Sequence, residues 1–442
     1  EIDKISLSRQ FEFINAEVIE KKIDKNKIDI EFRIKESDQF YVERINILGN
    51  NITHENVIRN ALEIDEGDPY NELLNAKSIN NLRSLNIFGN INVDVKDGEG
   101  INTKTIDIEV KEKPTGAISV GAGFGSEGGT IGFSISESNF LGKNIKLNTE
   151  VRTTEDTLKG VFSVTNPNFN YSNKSLITSI SSTSIDKMAD SGWETKEMGF
   201  TLGTRYEQYE NTFFSPKLVT EFEDLTTSSK ASESLKKQTG NYFDTRFKYV
   251  LDFDKRDRKF QTTEGSRTLF LQGIPLVSDE YSLLNGFESE KWIKFRNEMV
   301  TNFSLYGRAV NSISGDDVRV TDRLALPRLK LKGFQYNAIG PVDSNDYVGG
   351  NYAAAVNFDT TLPMILPSAE SMDFKYFIDV GNVWGVDYES TIDESNKWRS
   401  STGITIDWFT PIGPLNFSIA KPISKISTDK TESFQFNLGT TF

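Results

Sequence analysis

The stretch 144-NIKLNTEVR-152 alternates residue by residue. Ile145, Leu147, Thr149 and Val151 fall on one side of an extended chain, and Asn144, Lys146, Asn148, Glu150 and Arg152 fall on the other. Period-two patterning with one apolar and one strongly polar face is the signature of a strand between two different solvents. In 433-SFQFNLGTTF-442 the pattern returns: Phe434, Phe436, Leu438 and Phe442 oppose Ser433, Gln435, Asn437 and Gly439. Working outward, sixteen such segments follow Pro114, near 116–125, 129–138, 144–153, 158–166, 174–183, 194–208, 214–224, 242–253, 265–273, 280–294, 298–308, 351–362, 373–385, 398–408, 413–421 and 433–442.

The connections sort into two kinds. After even-numbered segments none exceeds about eleven residues, whereas 184–193, 225–241, 309–350 and 386–397 all follow odd-numbered ones. Transmembrane barrels show this asymmetry, with tight turns on one rim and long loops on the other. A soluble two-sheet sandwich accounts for the alternation but not for the sorted loops. The expected fold is therefore an all-β transmembrane barrel of about sixteen antiparallel strands over 114–442, with a long extracellular loop at 309–350.

Before Pro114 the period changes. Tyr41–Ile47 reads as a strand, Thr53 as the N-cap of a helix to about Ala61, and Asn71–Phe88 as a second helix carrying Leu74, Ile79, Leu82 and Leu85 on one side. Strands near Ile91–Lys96 and Thr105–Lys111 follow, separated by Asp97-Gly98-Glu99-Gly100. The order β-α-α-β-β defines a small α+β module over 38–113. Two further strand-like runs, Ile14–Lys21 and Lys27–Lys35, read as the last hairpin of a preceding copy, so 1–37 is the end of a repeat.

Composition narrows the function. The net charge of −14 is spread evenly: residues 1–113 carry 23 acidic and 16 basic groups, the remainder 41 and 34. No basic stripe is present to neutralise phosphates, so nucleic acid is not an expected partner. No apolar run is long enough for a membrane-spanning helix. Cysteine is absent and His54 is the single histidine. A histidine-rich metal cluster, a thiol nucleophile and any histidine triad within the barrel are thereby excluded; His54 reads as a surface residue of the first helix. The glycines of 121-GAGFGSEGG-129 lie on a strand and its turn, where a phosphate loop needs a helix and a Lys-Ser/Thr. No catalytic residue, metal or cofactor is expected, and the chain is not read as an enzyme. It opens on Glu1 inside a polar segment with no signal peptide, which reads as a fragment of a longer precursor.

Several motifs then carry a resemblance over essentially the whole chain. These are 41-YVERINILGN-50, 109-EVKEKPTG-116, 252-DFDKRDRKFQTTEGSR-267, 349-GGNYAAAVNF-358, 377-FIDVGNVW-384, 411-PIGPLNFSIAKPI-423 and 432-ESFQFNLGTTF-442. In this order they resemble the BamA family of outer-membrane protein assembly factors, in which periplasmic POTRA domains precede the barrel. The resemblance implies that Lys332-Gly333-Phe334 is the tip of a sixth loop folded into the lumen, where its cation docks on Phe377 and Asp379 of the wall. Alternation agrees, since Phe374, Tyr376, Ile378 and Val380 form the lipid-facing set and leave Lys375, Phe377 and Asp379 inward. The family has arginine at the tip. Lysine is a departure, because ammonium cannot make the planar bidentate contact of guanidinium, and Arg328 is a candidate to share the anchor.

The first strand, including Ile118, Ser119, Val120, Gly121 and Gly123, must close on the last, with Phe434, Phe436, Leu438 and Phe442. Four glycines in 116–125 weaken that seam. The resemblance implies insertion of client barrels into the outer membrane of a Gram-negative bacterium without ATP, by strand templating at the seam. Its implied partners are unfolded outer-membrane clients, accessory lipoproteins, periplasmic chaperones and membrane lipid. A related POTRA-barrel transporter, of the two-partner secretion or the translocation-and-assembly type, is the alternative, and a passive porin the less fitting one.

Overall fold

The computed structural model describes residues 14–24, 27–36, 40–125, 128–189, 192–259, 261–295, 298–343, 346–363, 365, 371–387, 396–410 and 413–438. Two compact units divide the chain, residues 1–117 with 136–147 and residues 118–135 with 148–442.

In the first unit, β1 (Ile14–Asp24) and β2 (Lys27–Glu36) form an antiparallel hairpin. Next come β3 (Tyr41–Leu48), α1 (Glu55–Arg59), α2 (Glu72–Ser84), β4 (Phe88–Asp97) and β5 (Thr103–Glu112). The sheet order is β3-β5-β4, with β3 parallel and β4 antiparallel to the central strand. Val42 and Ile45 of β3, Ile58 of α1, Leu82 of α2, and Ile106 and Ile108 of β5 are buried in one cluster. The Asn71 side chain caps α2 by accepting the N–H groups of Leu73 and Leu74 at 2.9 and 3.2 Å. Leu82 is the fully buried member of the helix face read from sequence, with Leu74 and Leu85 packed around it.

Two helix boundaries differ from expectation. The first helix begins at Glu55, and His54 rather than Thr53 holds the cap position, without a side-chain cap bond. Thr53 is instead tied by its N–H to the Glu112 carboxylate at 2.6 Å. The second helix stops at Ser84 because Phe88 already pairs with Glu112 in the sheet.

After Pro114 sixteen strands close into a barrel. They are β6 (Gly116–Gly125), β7 (Gly128–Phe140), β8 (Ile145–Thr153), β9 (Thr157–Asn166), β10 (Ser175–Lys187), β11 (Trp193–Tyr209), β12 (Thr212–Thr227), β13 (Gly240–Asp254), β14 (Gly265–Ser278), β15 (Ser282–Lys294) and β16 (Val300–Ser312). After a two-strand ribbon inside the loop, β17 (Val342–Asp343) with β18 (Asp346–Tyr347), come β19 (Tyr352–Thr361), β20 (Met372–Trp384), β21 (Arg399–Thr410), β22 (Gly413–Ser424) and β23 (Phe434–Leu438). Each segment read from the alternation overlaps one barrel strand, and residues 439–442 of the last segment lie outside the described residues.

Outward-facing side chains align across strands: Phe162 opposes Ile180, and Ile180 opposes Phe200, all three exposed. This band is what lipid would cover. No helix among the described residues is long and apolar enough to cross a membrane.

Turns on one rim stay within ten residues, while the other rim carries 228–239, 313–351, 385–398 and 425–433. The expected loop at 184–193 shrinks to 188–192, because Ile185, Asp186 and Lys187 continue the ladder with β11. The long loop likewise starts at 313, because β16 pairs with β15 as far as Ser312. It is not structureless. Besides β17–β18 it contains a 3-10 turn at Arg328–Lys330 and buries Leu326, Leu331, Phe334 and Ile339 against Ala353, Ala355 and Val383 of the wall.

Candidate functional site

The long loop passes through the lumen, and three sets of buried charges hold it and its neighbours. The first lies at the tip. Period-two geometry turns Phe377 and Asp379 of β20 inward, where both are fully buried, while Tyr376 and Ile378 face outward. The Lys332 ammonium sits 3.0 Å from Asp379 Oδ2 and 4.3 Å from the centroid of the Phe377 ring. Its backbone N–H also donates to Asp379 Oδ2 at 3.0 Å, and Asn357 Nδ2 donates to Oδ1 at 2.8 Å. A second carboxylate, Asp359, lies 3.7 Å from the ammonium. The Ser401 hydroxyl donates to the Lys332 carbonyl.

Two glycines make the docking sterically feasible. Gly333 has φ +91°, and a Cβ there would meet Ala420 at 3.0 Å. A Cβ on Gly403 would lie 2.0 Å from the Ile419 carbonyl and 2.9 Å from the Phe377 ring, so glycine leaves space for that ring. Phe334 is buried in the loop's apolar cluster. Between the tip and the short-turn rim lies a polar cavity of about 1000 Å³, lined among others by Lys330, Lys332, Asp359, Lys375 and Asp407.

The second set escaped the sequence reading. Arg319, near the start of the loop, is almost completely buried. It meets Asp244 of β13, Glu223 of β12 at 3.3 Å and Glu280 at 3.3 Å, with the Tyr242 ring 4.3 Å away. Arg246 grips Asp322 of the loop with two bonds of 2.8 and 2.7 Å. In the turn between β14 and β15, burial pushes the Glu280 carboxyl up to about 7, with Asp316, Asp322 and Asp244 adding repulsion and Arg319 opposing it. The third set joins Arg399 of β21 to Asp429 of the last loop at 2.9 Å, both fully buried. The available signal was a run of charges at inward strand positions near the long-loop rim (Glu223, Asp244, Arg246, Arg399).

At the seam, β23 pairs with β22 from Ile419↔Phe434 to Leu415↔Leu438. With β6 it pairs at only Phe124↔Leu438 and Gly125↔Asn437 among the described residues. Ile118 and Val120 point outward and are exposed, with Ser119, Gly121 and Gly123 alternating between them. Phe434 is exposed, and Phe436 stacks on Phe417 with ring centroids 5.6 Å apart. Phe442 lies outside the described residues, as do the side-chain surroundings of Leu438.

An α+β module together with a sixteen-stranded membrane-type barrel, whose lumen is threaded by its own charged loop, defines the class. The chain belongs to the Omp85 superfamily, whose domain model matches residues 139–442; residues 40–113 match the POTRA model, described as a surface antigen variable number repeat. It is similar to the outer membrane protein assembly factor BamA of Neorickettsia risticii, with 25% identity covering 97% of this chain and 59% of that protein. The chain thus spans little more than half the length of that relative. In fold it resembles the crystal structure of BamA from Haemophilus ducreyi lacking POTRA domains 1–3, with a TM-score of 0.83 and 22% identity, covering all of this chain and 94% of that one. It also resembles CdiB from Acinetobacter baumannii, with a TM-score of 0.58 and 11% identity over 99% of this chain and 80% of that one.

Proposed function

We propose that this chain is the barrel-bearing part of a non-enzymatic outer-membrane assembly factor, resident in the outer membrane of a Gram-negative bacterium with its POTRA domains in the periplasm. It folds and inserts client β-barrels without ATP. The observation that carries this reading is the seam. The first strand, β6, which closes on β23, carries four glycines in ten residues. Glycine contributes no cross-strand side-chain contact and loses more chain entropy on pairing. An edge of this composition accepts an incoming strand by β-augmentation, and the client's own folding supplies the free energy. The greater similarity to the BamA structure than to CdiB supports an assembly factor over a transporter.

Within the POTRA module the β3 edge is already occupied. Val42 N–H donates to Asp68 O, Gly67 N–H donates to Val42 O, and Ile45 N–H donates to the Glu66 carboxylate at 2.9 Å. The β4 edge is thereby the one offered to client chains, accessory lipoproteins or chaperones.

The absence of cysteine provides a clean test. Single cysteines at Ser119, Gly121 and Gly123 of the full-length protein are paired with a series along the last strand of a stalled client. Disulfides that follow one register along both strands are the expected result. Crosslinks without register, or confined to the lumen, would indicate a transporter instead.

A further inference from the structure

The last loop, 425–433, leads directly into β23, and the sixth loop holds it along its length. The Tyr347 hydroxyl donates to the Thr428 carbonyl. Lys430 N–H donates to Ala338 O at 3.1 Å, Gln335 N–H to Lys430 O at 3.0 Å, and Glu432 N–H to Gly333 O at 3.1 Å. Phe334 and Thr431 face each other as an antiparallel bridge. The contact extends into the last strand itself, because the Gln435 side chain is buried and its Nε2 donates to the Phe334 carbonyl at 2.9 Å. One segment, 332–335, therefore touches the wall through Lys332 on Asp379 and the last strand through Phe334.

The geometry points to a clamp: the sixth-loop tip holds the long-loop end of β23, so that docking of Lys332 and seating of the last strand form one equilibrium. Among the described residues β23 meets the first strand only at Asn437 and Leu438, at its other end. The long-loop end, Phe434 to Phe436, is held by β22 on one side and by the tip through Gln435. Release of the tip removes the second of these supports. Gln435 is a positioning residue in this scheme, acting through the Phe334 backbone. That the clamp regulates client entry rests on the templating reading above; the mechanical coupling itself does not, and it is measured without a client.

The test is amide hydrogen exchange of the full chain in lipid nanodiscs, comparing peptides spanning 433–438 with a control at 214–224. Gln435→Met deletes the bond to Phe334 O, together with a longer one of 3.3 Å to Glu432 Oε2, and is expected to speed exchange at 433–438 about fivefold, the equivalent of one ordinary hydrogen bond. Asp379→Asn touches no residue of β23, yet it is expected to speed the same amides about tenfold or more, with the control unchanged. A Phe334→Cys/Thr431→Cys pair occupies facing positions of a bridge, where a disulfide fits. Its oxidised form is expected to slow 433–438 several-fold relative to its reduced form, and to cancel the effect of Asp379→Asn. If Asp379→Asn prevents folding, the oxidised–reduced comparison decides alone. Faster exchange confined to 329–337, or identical exchange at 433–438 in oxidised and reduced forms, overturns the clamp.

Discussion

Consider removal of the charge at the loop tip. Lys332→Met leaves the Asp379 carboxylate fully buried, still accepting from Asn357 Nδ2 at 2.8 Å and from the residue-332 N–H at 3.0 Å, but without its cation. Breaking a buried pair from one side typically costs about 3–5 kcal/mol. The two surviving donors place this change near the lower end, about 3 kcal/mol. Asp379→Asn leaves the ammonium with Asp359 at 3.7 Å, the Leu329 carbonyl at 3.3 Å and the Phe377 ring, and should cost about the same. With both charges gone neither is stranded, so the double variant should lose about 3 kcal/mol rather than about 6, a coupling of about 3 kcal/mol. Urea unfolding of the barrel in detergent micelles, followed by tryptophan fluorescence, reads the midpoint. An unchanged slope confirms that the same surface unfolds. Additive losses, or single losses below about 1 kcal/mol, would refute the view that this pair is buried and mutually dependent. Lys332→Arg keeps the charge and adds a planar fork suited to a carboxylate.

Three other outcomes are expected. Glu280 ionises near 7 when docked loop residues bury it, against 4.5 ordinarily, so the docked state holds the proton longer and docking weakens as pH rises from about 4.5 through about 7. Protease accessibility around Arg319 should therefore be lower at pH 6 than at pH 8, and Glu280→Gln should remove the difference. Ile180→Lys, on the outward face between Phe162 and Phe200, should cost about 2–4 kcal/mol in urea titrations of lipid-embedded barrel, whereas Ser179→Lys on the inward face should cost much less. In the POTRA module, Leu82→Ala should lower stability by about 2–5 kcal/mol, as seen by circular dichroism of the isolated fragment 38–113 against full-length protein.

The sequence by itself determined the strands and their faces. Alternation is a local property: once a segment is extended, every second side chain must point the same way, so Phe377 and Asp379 are inward wherever β20 sits. The sorted loop lengths followed from the same count, and the resemblance supplied Lys332 as the partner of that wall. The helix boundaries were less legible, since Phe88 joins the sheet by pairing with Glu112, a partner distant in sequence.

What only the tertiary structure decided is which inward charges meet. Arg319 reaches Glu223, Asp244 and Glu280 on three different elements, and Arg399 of β21 reaches Asp429 of the last loop. Those distances depend on barrel closure, strand stagger and the path of a 39-residue loop, none of which has a period to read. The clamp on β23 is of the same kind. It is built mainly from backbone N–H and C=O groups, which every residue carries, and therefore leaves almost no mark on the sequence.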